Sequence, residues 1–351
     1  MLGDSNSHIG RRTTLKAIAG VTGAGFFAGC LSDGDGVLDS PLRVVCPVPA
    51  EHFIWSNIVA EFLDRVREES DGRVEFDEFP GQALADAGEE VVYLQDGAAD
   101  MGYLIQAYFG DIMPLTDFVG TPGFINNAVQ GTDALWELAN PEDGVLYDLE
   151  FEPTGIRPLT SSAFDPYQLQ TLDDVGEVRS PDGWQGLNVR SSGGTMSLGI
   201  EALGGTAVDI PIPESYEALE RGTVDSSVGP INLIQTWDWQ FVTDYSTVNA
   251  PLGTSPGTIS IREDLWEELP SDIRDIMSDV GEDMVEYTGA AWAEDTNTEL
   301  QALEESGEMN FYELSNAEVS EWEDVLQAAG EDYILGLENG QEVYDEFISL
   351  V

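Results

Sequence analysis

One short pattern occurs twice in this chain and decides most of what it can fold into. Leu94-Gln95-Asp96-Gly97-Ala98-Ala99-Asp100-Met101-Gly102 reads as a helix end, a glycine, two small residues, an aspartate and a strand. Leu219-Glu220-Arg221-Gly222-Thr223-Val224-Asp225-Ser226-Ser227-Val228 has the same order. Each copy closes a run of alternating strands and helices. In the first, 42–46 is strand-like, and 54–69 places Trp55, Ile58, Val59, Phe62, Leu63 and Val66 on one helical face. A strand at 73–79, a helix at 86–97 and a strand at 99–104 complete it. In the second, strands at 186–190 and 207–210 alternate with helices at 194–203 and 213–220. Such alternation requires a largely parallel sheet with helices on its faces. About 320 residues after Cys30 exceed one ordinary core, so the two units predict an α/β chain of two lobes.

The last quarter is helical. Leu265-Trp266-Glu267-Glu268-Leu269-Pro270 ends one helix. A long one follows over 271–303, with Ile273, Ile276, Val280, Met284, Tyr287 and Ala291 spaced for burial, and two more cover 315–329 and 331–350. The expected organisation is lobe I from 41–163 plus about 253–300, lobe II from 164–252, and C-terminal helices from about 301–351 packed on the lobes.

The first forty residues read as an address. Arg11-Arg12 precede an apolar run at 17–28 and then Gly29-Cys30. A charged start, a short apolar stretch and a small-residue cleavage site describe an export signal over 1–30. The paired arginines point to the twin-arginine (Tat) route. The apolar run is shorter than the roughly 20 residues that span a bilayer. Phe27-Ala28-Gly29-Cys30 is a lipobox, which makes Cys30 the lipid anchor and 31–40 a polar tether on the outer face of the cytoplasmic membrane. Cys46, the second of two cysteines, is left without a partner and is expected as a buried thiol.

Charge narrows the function. The chain has 67 acidic and 13 basic residues, a formal net charge of −54. Lys16, the only lysine, lies in the signal with Arg11 and Arg12, which leaves ten arginines after it. At 1 M salt the Debye length is about 3 Å and self-repulsion largely vanishes, so this surface fits a haloarchaeal, salt-adapted protein. A 42% apolar content rules out an acidic disordered chain. No basic patch exists for phosphates, which excludes nucleic acid as a partner. An enzyme is not expected: there are two histidines, one of them (His8) in the signal, no Gly-x-Ser-x-Gly elbow and no His/Cys metal spacing. No cofactor and no metal are called for.

Five ordered stretches carry a family resemblance. Phe79-Pro80-Gly81-Gln82-Ala83-Leu84 is similar to "FPGGQLG", and Leu94 to Gly102 to "xxGxxDMG". Gly186-Leu187-Asn188-Val189-Arg190 is similar to "GLKIR". Gly204 to Val208 with Glu214 to Asp225 is similar to "GAxPVxxxxxExYxALQxGxVDG", and Leu265 to Pro270 to "xWxxLPxxxQ". Over roughly 42–300 the chain resembles the DctP-type solute-binding proteins of tripartite ATP-independent periplasmic (TRAP) transporters. The resemblance implies a two-lobed periplasmic-binding-protein-like fold with a long helix packed across both lobes. It also implies a monomer that closes on a small organic acid and docks on TRAP membrane subunits, with the carboxylate held by an arginine at the position of Arg190. The family often has a second arginine about twenty residues earlier; Phe164-Asp165-Pro166-Tyr167-Gln168 offers none, which favours a simple monocarboxylate with an apolar or aromatic portion. The alternative is the binding lipoprotein of an ABC importer, which would lack the long helix across both lobes. A purely structural surface lipoprotein would lack a cleft.

Elementary chemistry supports Arg190 independently. It ends a short strand and precedes Ser191-Ser192-Gly193-Gly194-Thr195, and ligands of open α/β sheets sit beyond strand C-termini. Guanidinium matches a carboxylate with two parallel bonds, and the following helix N-terminus suits an anion. The same strand-end logic nominates His52 and Trp55 after the first strand, Gln106 and Tyr108 after the third, and Tyr167. It also nominates Asn232 after the second aspartate strand, with Trp237 beyond it.

Overall fold

The computed structural model describes residues 38 and 40–351. The expected export signal at 1–30, the anchor Cys30 and nearly all of the tether lie outside the described residues.

The first lobe begins with β1 (Leu42–Val45), α1 (Ala60–Glu69), β2 (Phe76–Phe79), α2 (Glu90–Gln95) and β3 (Met101–Ile105). It continues with α3 (Pro114–Phe118), α4 (Ala128–Ala139), α5 (Glu152–Thr154) and β4 (Ile156–Ala163). The chain then crosses and builds β5 (Gln168–Thr171), β6 (Asn188–Ser191), α6 (Gly194–Ala202), β7 (Thr206–Asp209), α7 (Ser215–Glu220), β8 (Ser226–Gly229) and β9 (Tyr245–Thr247). It returns for β10 (Pro256–Arg262) and α8 (Glu263–Glu268), then runs through α9 (Ser271–Ser306), β11 (Asn310–Tyr312), α10 (Asn316–Leu335) and α11 (Gly340–Leu350).

The strands form two sheets, β2-β1-β3-β10-β4 and β11-β9-β5-β8-β6-β7. The duplicated unit is parallel in both. β1 lies between β2 and β3 with Leu42 opposite Phe76, and β6 lies between β7 and β8 with Asn188 opposite Thr206. Covered on both faces, β3 is buried at all five positions, which is why Met101-Gly102-Tyr103-Leu104-Ile105 shows no alternation. The two aspartates of the repeated pattern do similar work. Asp100 accepts the Arg43 backbone N–H at 2.9 Å, and Asp225 accepts the Asn188 backbone N–H at 2.8 Å, so each ties its strand to the neighbouring one.

The chain passes between the sheets from β4 to β5, from β9 to β10 and, through α9, from β10 to β11; the first two crossings lie side by side. They are hydrogen-bonded to each other, Phe164 N–H to Ser255 O at 3.3 Å and Tyr167 N–H to Gly253 O at 2.8 Å. The expected long helix is present as the 36-residue α9, which ends at Gly307 in the left-handed conformation. It lies along β4, α4 and α1 of the first lobe and reaches the turn Ile231–Leu233 of the second. Trp292 fixes it: its ring packs 4.4 Å from Phe53 and 4.5 Å from Phe164, and its Nε1–H donates to Ser162 Oγ at 2.9 Å.

Local differences from the sequence reading have plain causes. The helix expected at 54–69 opens with a wide π-turn at Ile54–Val59 before α1. The segment read as wholly helical beyond 301 contains β11, which extends the second sheet beside β9. A three-residue edge strand is too short to show periodicity. Cys46 is a buried free thiol, as expected. Among the described residues no helix is long and apolar enough to cross a membrane.

Candidate functional site

Arg190 is the third residue of β6, and the chain turns at once from that strand into α6. Gly193 and Gly194 make the turn with φ of 98° and 57°, a region that favours glycine. The Arg190 side chain is 1% exposed. Its Nε–H donates to Ile210 O at 2.9 Å and its Nη1–H to Val228 O at 3.3 Å, while Nη2 has no partner. Every other arginine among the described residues pairs with a carboxylate, except the partly exposed Arg274. Arg190 has none within ion-pair distance. Burial pushes its guanidinium below the ordinary value, opposed only by Tyr108, Tyr167 and Asp209. A buried cation without a counter-ion costs several kcal/mol, roughly, so an anion brought to Nη2 recovers much of that penalty.

Arg190 lines a cavity of about 20 Å³ between the lobes, enough for about one water molecule. The first lobe contributes Val48, His52, Ile54, Ile105 and Tyr108, and the crossing segment contributes Phe164 and Tyr167. The second lobe adds Arg190, Ser192, Ile212, Pro230 and Leu233. Apart from Arg190 the walls carry no charge. A wider opening of about 620 Å³ adjoins it, sharing Val48, Tyr108 and Ile212 and bordered by Trp237.

His52 is 1% exposed, and burial lowers its pKa to about 4, so it is neutral at pH 7. Its Nδ1 accepts the Ile54 N–H at 3.2 Å, which places the ring proton on Nε2. That Nε2 has no partner, and the ring lies tilted 6.0 Å from Trp237. Burial raises the phenols of Tyr108 and Tyr167, so both stay protonated, although Arg190 opposes the shift.

The other nominated residues stand back from this cavity. Gln106 is buried behind Tyr108 with Nε2 3.5 Å from Thr258 Oγ1. Asn232 donates to Asp295 of α9 at 2.7 Å. Trp55 belongs to the first-lobe core at 6% exposure. Arg157, early in β4, pairs with Glu263 at 3.1 Å and brings no second guanidinium to the cleft. Sequence reasoning missed the apolar walls Val48, Ile54, Ile105, Ile212 and Leu233, which look like any core residue. It also missed Asp117 of α3, a buried carboxylate that accepts the Thr195 N–H at 2.9 Å and so bridges the first lobe to the N-terminus of α6.

A model of the family "bacterial extracellular solute-binding protein, family 7", DctP, matches residues 47–334. The chain belongs to the DctP family. The C4-dicarboxylate-binding periplasmic protein DctP of Rhodobacter capsulatus is 26% identical over 269 residues, 76% of this chain and 78% of that one. A TRAP periplasmic solute-binding protein from Bordetella bronchiseptica, solved with bound (R)- and (S)-mandelate, superposes with a TM-score of 0.78 at 22% identity, covering 88% of this chain and 98% of its own. A marine metagenome TRAP solute-binding protein specific for aromatic acid ligands, in complex with 3-hydroxybenzoate, gives a TM-score of 0.80 at 19% identity over 89% and 97%. These solved structures share the fold of this DctP-family chain: two α/β lobes of the periplasmic-binding type. Family and fold are those of extracytoplasmic solute-binding proteins of transport, and the ABC-importer alternative has no support.

Proposed function

We propose that this DctP-family protein captures a small monocarboxylate with an apolar body and delivers it to TRAP membrane subunits. The observation that carries the reading is the buried Arg190 guanidinium with a free Nη2 and no carboxylate partner, opening into a cavity otherwise lined by apolar and neutral groups. His52, Tyr108 and Tyr167 complete the contact surface; Trp237 guards the opening. Gln106, Asn232 and Trp55 support the walls from behind. Mandelate and 3-hydroxybenzoate, bound by the structural relatives, have this chemistry. The R. capsulatus relative is named for C4-dicarboxylates, whereas the walls here carry a single cation, Arg190, to meet a carboxylate.

Export by the Tat route, lipidation at Cys30, attachment to the outer face of the cytoplasmic membrane, a haloarchaeal source and a monomeric, non-enzymatic working form complete the proposal. Export, anchoring and salt adaptation are supported by Arg11-Arg12, the lipobox and the net charge of −54; the monomeric, non-enzymatic form is carried over from the family. The lobe boundaries fall at the two crossings near 164 and 253.

The test is a thermal-shift screen of small carboxylic acids, followed by calorimetric titration of the wild type and Arg190→Met. Ligand at 100 times Kd raises stability by about 2.7 kcal/mol. Arg190→Met is expected to weaken binding by about 2–5 kcal/mol, some thirty- to several-thousand-fold. Unchanged affinity in the variant rules out the assigned role.

A further inference from the structure

Three polar atoms of the residues that line the cavity are buried without a hydrogen-bond partner. Arg190 Nη2 and Ser192 Oγ, both buried and unpartnered, come from the second lobe. His52 Nε2, also buried and unpartnered, comes from the loop after β1 of the first lobe. Ile54, Ile105, Phe164, Ile212 and Leu233 are among the apolar residues that line the same cavity. No carboxylate and no amide lines this space; its only side-chain acceptors are the hydroxyls of Tyr108, Tyr167 and Ser192, and none of them bonds His52 Nε2.

His52 cannot satisfy itself by changing tautomer. The Ile54 N–H occupies Nδ1, and moving the proton there would set two donors against each other. Rotation of the ring is resisted by Trp237 on one side and by the close apolar walls. A buried N–H without an acceptor costs about 1–3 kcal/mol. An acceptor brought by the solute removes that penalty, and a solute lacking one leaves it in place.

We infer that the solute carries, besides its carboxylate, a second and uncharged oxygen that accepts a hydrogen bond from His52 Nε2–H. This inference rests on the carboxylate reading of Arg190. The class it names is the hydroxy- or oxo-substituted monocarboxylate. A second carboxylate would find no second cation, because every wall residue besides Arg190 is neutral.

The experiment uses matched acid pairs that differ by one oxygen, including 3-hydroxybenzoate with benzoate and 4-oxopentanoate with pentanoate, in molar salt. The wild type is expected to bind the oxygen-bearing member of at least one pair about tenfold or more tightly. His52→Phe should reduce that preference to within about twofold, while His52→Gln, which keeps an amide donor, restores part of it. Because a buried substitution can unfold the lobe, a second readout uses the wild type alone. Ring-¹⁵N spectra should show the Nε2–H tautomer for His52, and the Nε2 proton should move downfield on addition of the preferred acid. His8 is the only other histidine. Equal affinities within every pair, or an unmoved Nε2 proton, overturn the inference while leaving the Arg190 reading intact. Full binding by Arg190→Met, or no carboxylate bound at all, overturns the carboxylate reading and this inference with it.

Discussion

Asp117→Asn tests how the two lobes are held together at α6. Asp117 is 2% exposed and accepts the Thr195 N–H at 2.9 Å, while Thr195 Oγ1–H donates to the Asp117 carbonyl at 3.2 Å. Burial lifts its carboxyl from 3.8 to about 7; the Thr195 N–H pulls the other way, and nearby Glu150 adds to the rise. Asp111, Asp209 and Tyr333 line the same recess, and none is a cation. The sign follows from proton counts. Between pH 4 and 7 the folded protein keeps a proton that the unfolded chain has released, so stability falls as pH rises and stays reduced above pH 7. The full difference amounts to about 4 kcal/mol. Asparagine keeps an oxygen for the Thr195 N–H but gives up the charge at the helix N-terminus, worth roughly 0.3–1 kcal/mol. Asp117→Asn is therefore expected to be about 3 kcal/mol more stable than wild type at pH 8. For a chain of this length that corresponds to about 4–6 °C in Tm. At pH 4 the two proteins should melt within about 2 °C of each other. Scanning calorimetry at both pH values in molar salt measures the difference. A gap of equal size at both, or a variant that melts lower at pH 8, would refute the reasoning.

Other sites give sharp expectations. Gly281 lets α9 lie against the Leu159 carbonyl of β4, and a Cβ there would meet that oxygen well inside contact distance. Gly281→Ala, which in a free helix gains about 1 kcal/mol, should instead cost about 1–3 kcal/mol in chemical denaturation. Burial pushes the Cys46 thiol far up, so alkylation mapped by mass spectrometry at pH 8 should spare Cys46 until the protein unfolds.

Much of this architecture was legible because its signals are local and repeated. The two helix–glycine–aspartate–strand copies mark parallel units, and each aspartate proves to tie its strand to a neighbour. The 36-residue α9 was legible because Ile273, Val280 and Met284 keep helical spacing over many turns. β11 was not, since three residues carry no period and its pairing with β9 is set by the return of the chain from α9. At the candidate site, Arg190, His52, Tyr108 and Tyr167 were nominated because each is a distinctive residue near a strand end. Val48, Ile212 and Leu233 could not be, because an apolar side chain facing the cleft reads like one facing the core. Asp117 was hidden for another reason: among 67 acidic residues, one carboxylate that turns inward has no mark in the sequence.

The cavity's size and its walls carry different information. At about 20 Å³ it is smaller than any carboxylic acid, so its volume describes the closed lobes and not the solute. A solute larger than this space needs the lobes to part, and the connections between the sheets that would bend are the paired crossings at 164–167 and 251–255 and the passage from α9 to β11. Such parting moves each lobe as a unit and leaves its surface chemistry unchanged. The second lobe keeps one guanidinium, the first keeps a neutral imidazole N–H and the Tyr108 hydroxyl, and the rest of the lining stays neutral. Selectivity therefore follows from wall composition. A second carboxylate would be desolvated without a cation, a penalty of several kcal/mol or roughly a hundredfold or more in affinity. An uncharged oxygen at the same place would instead meet a waiting donor.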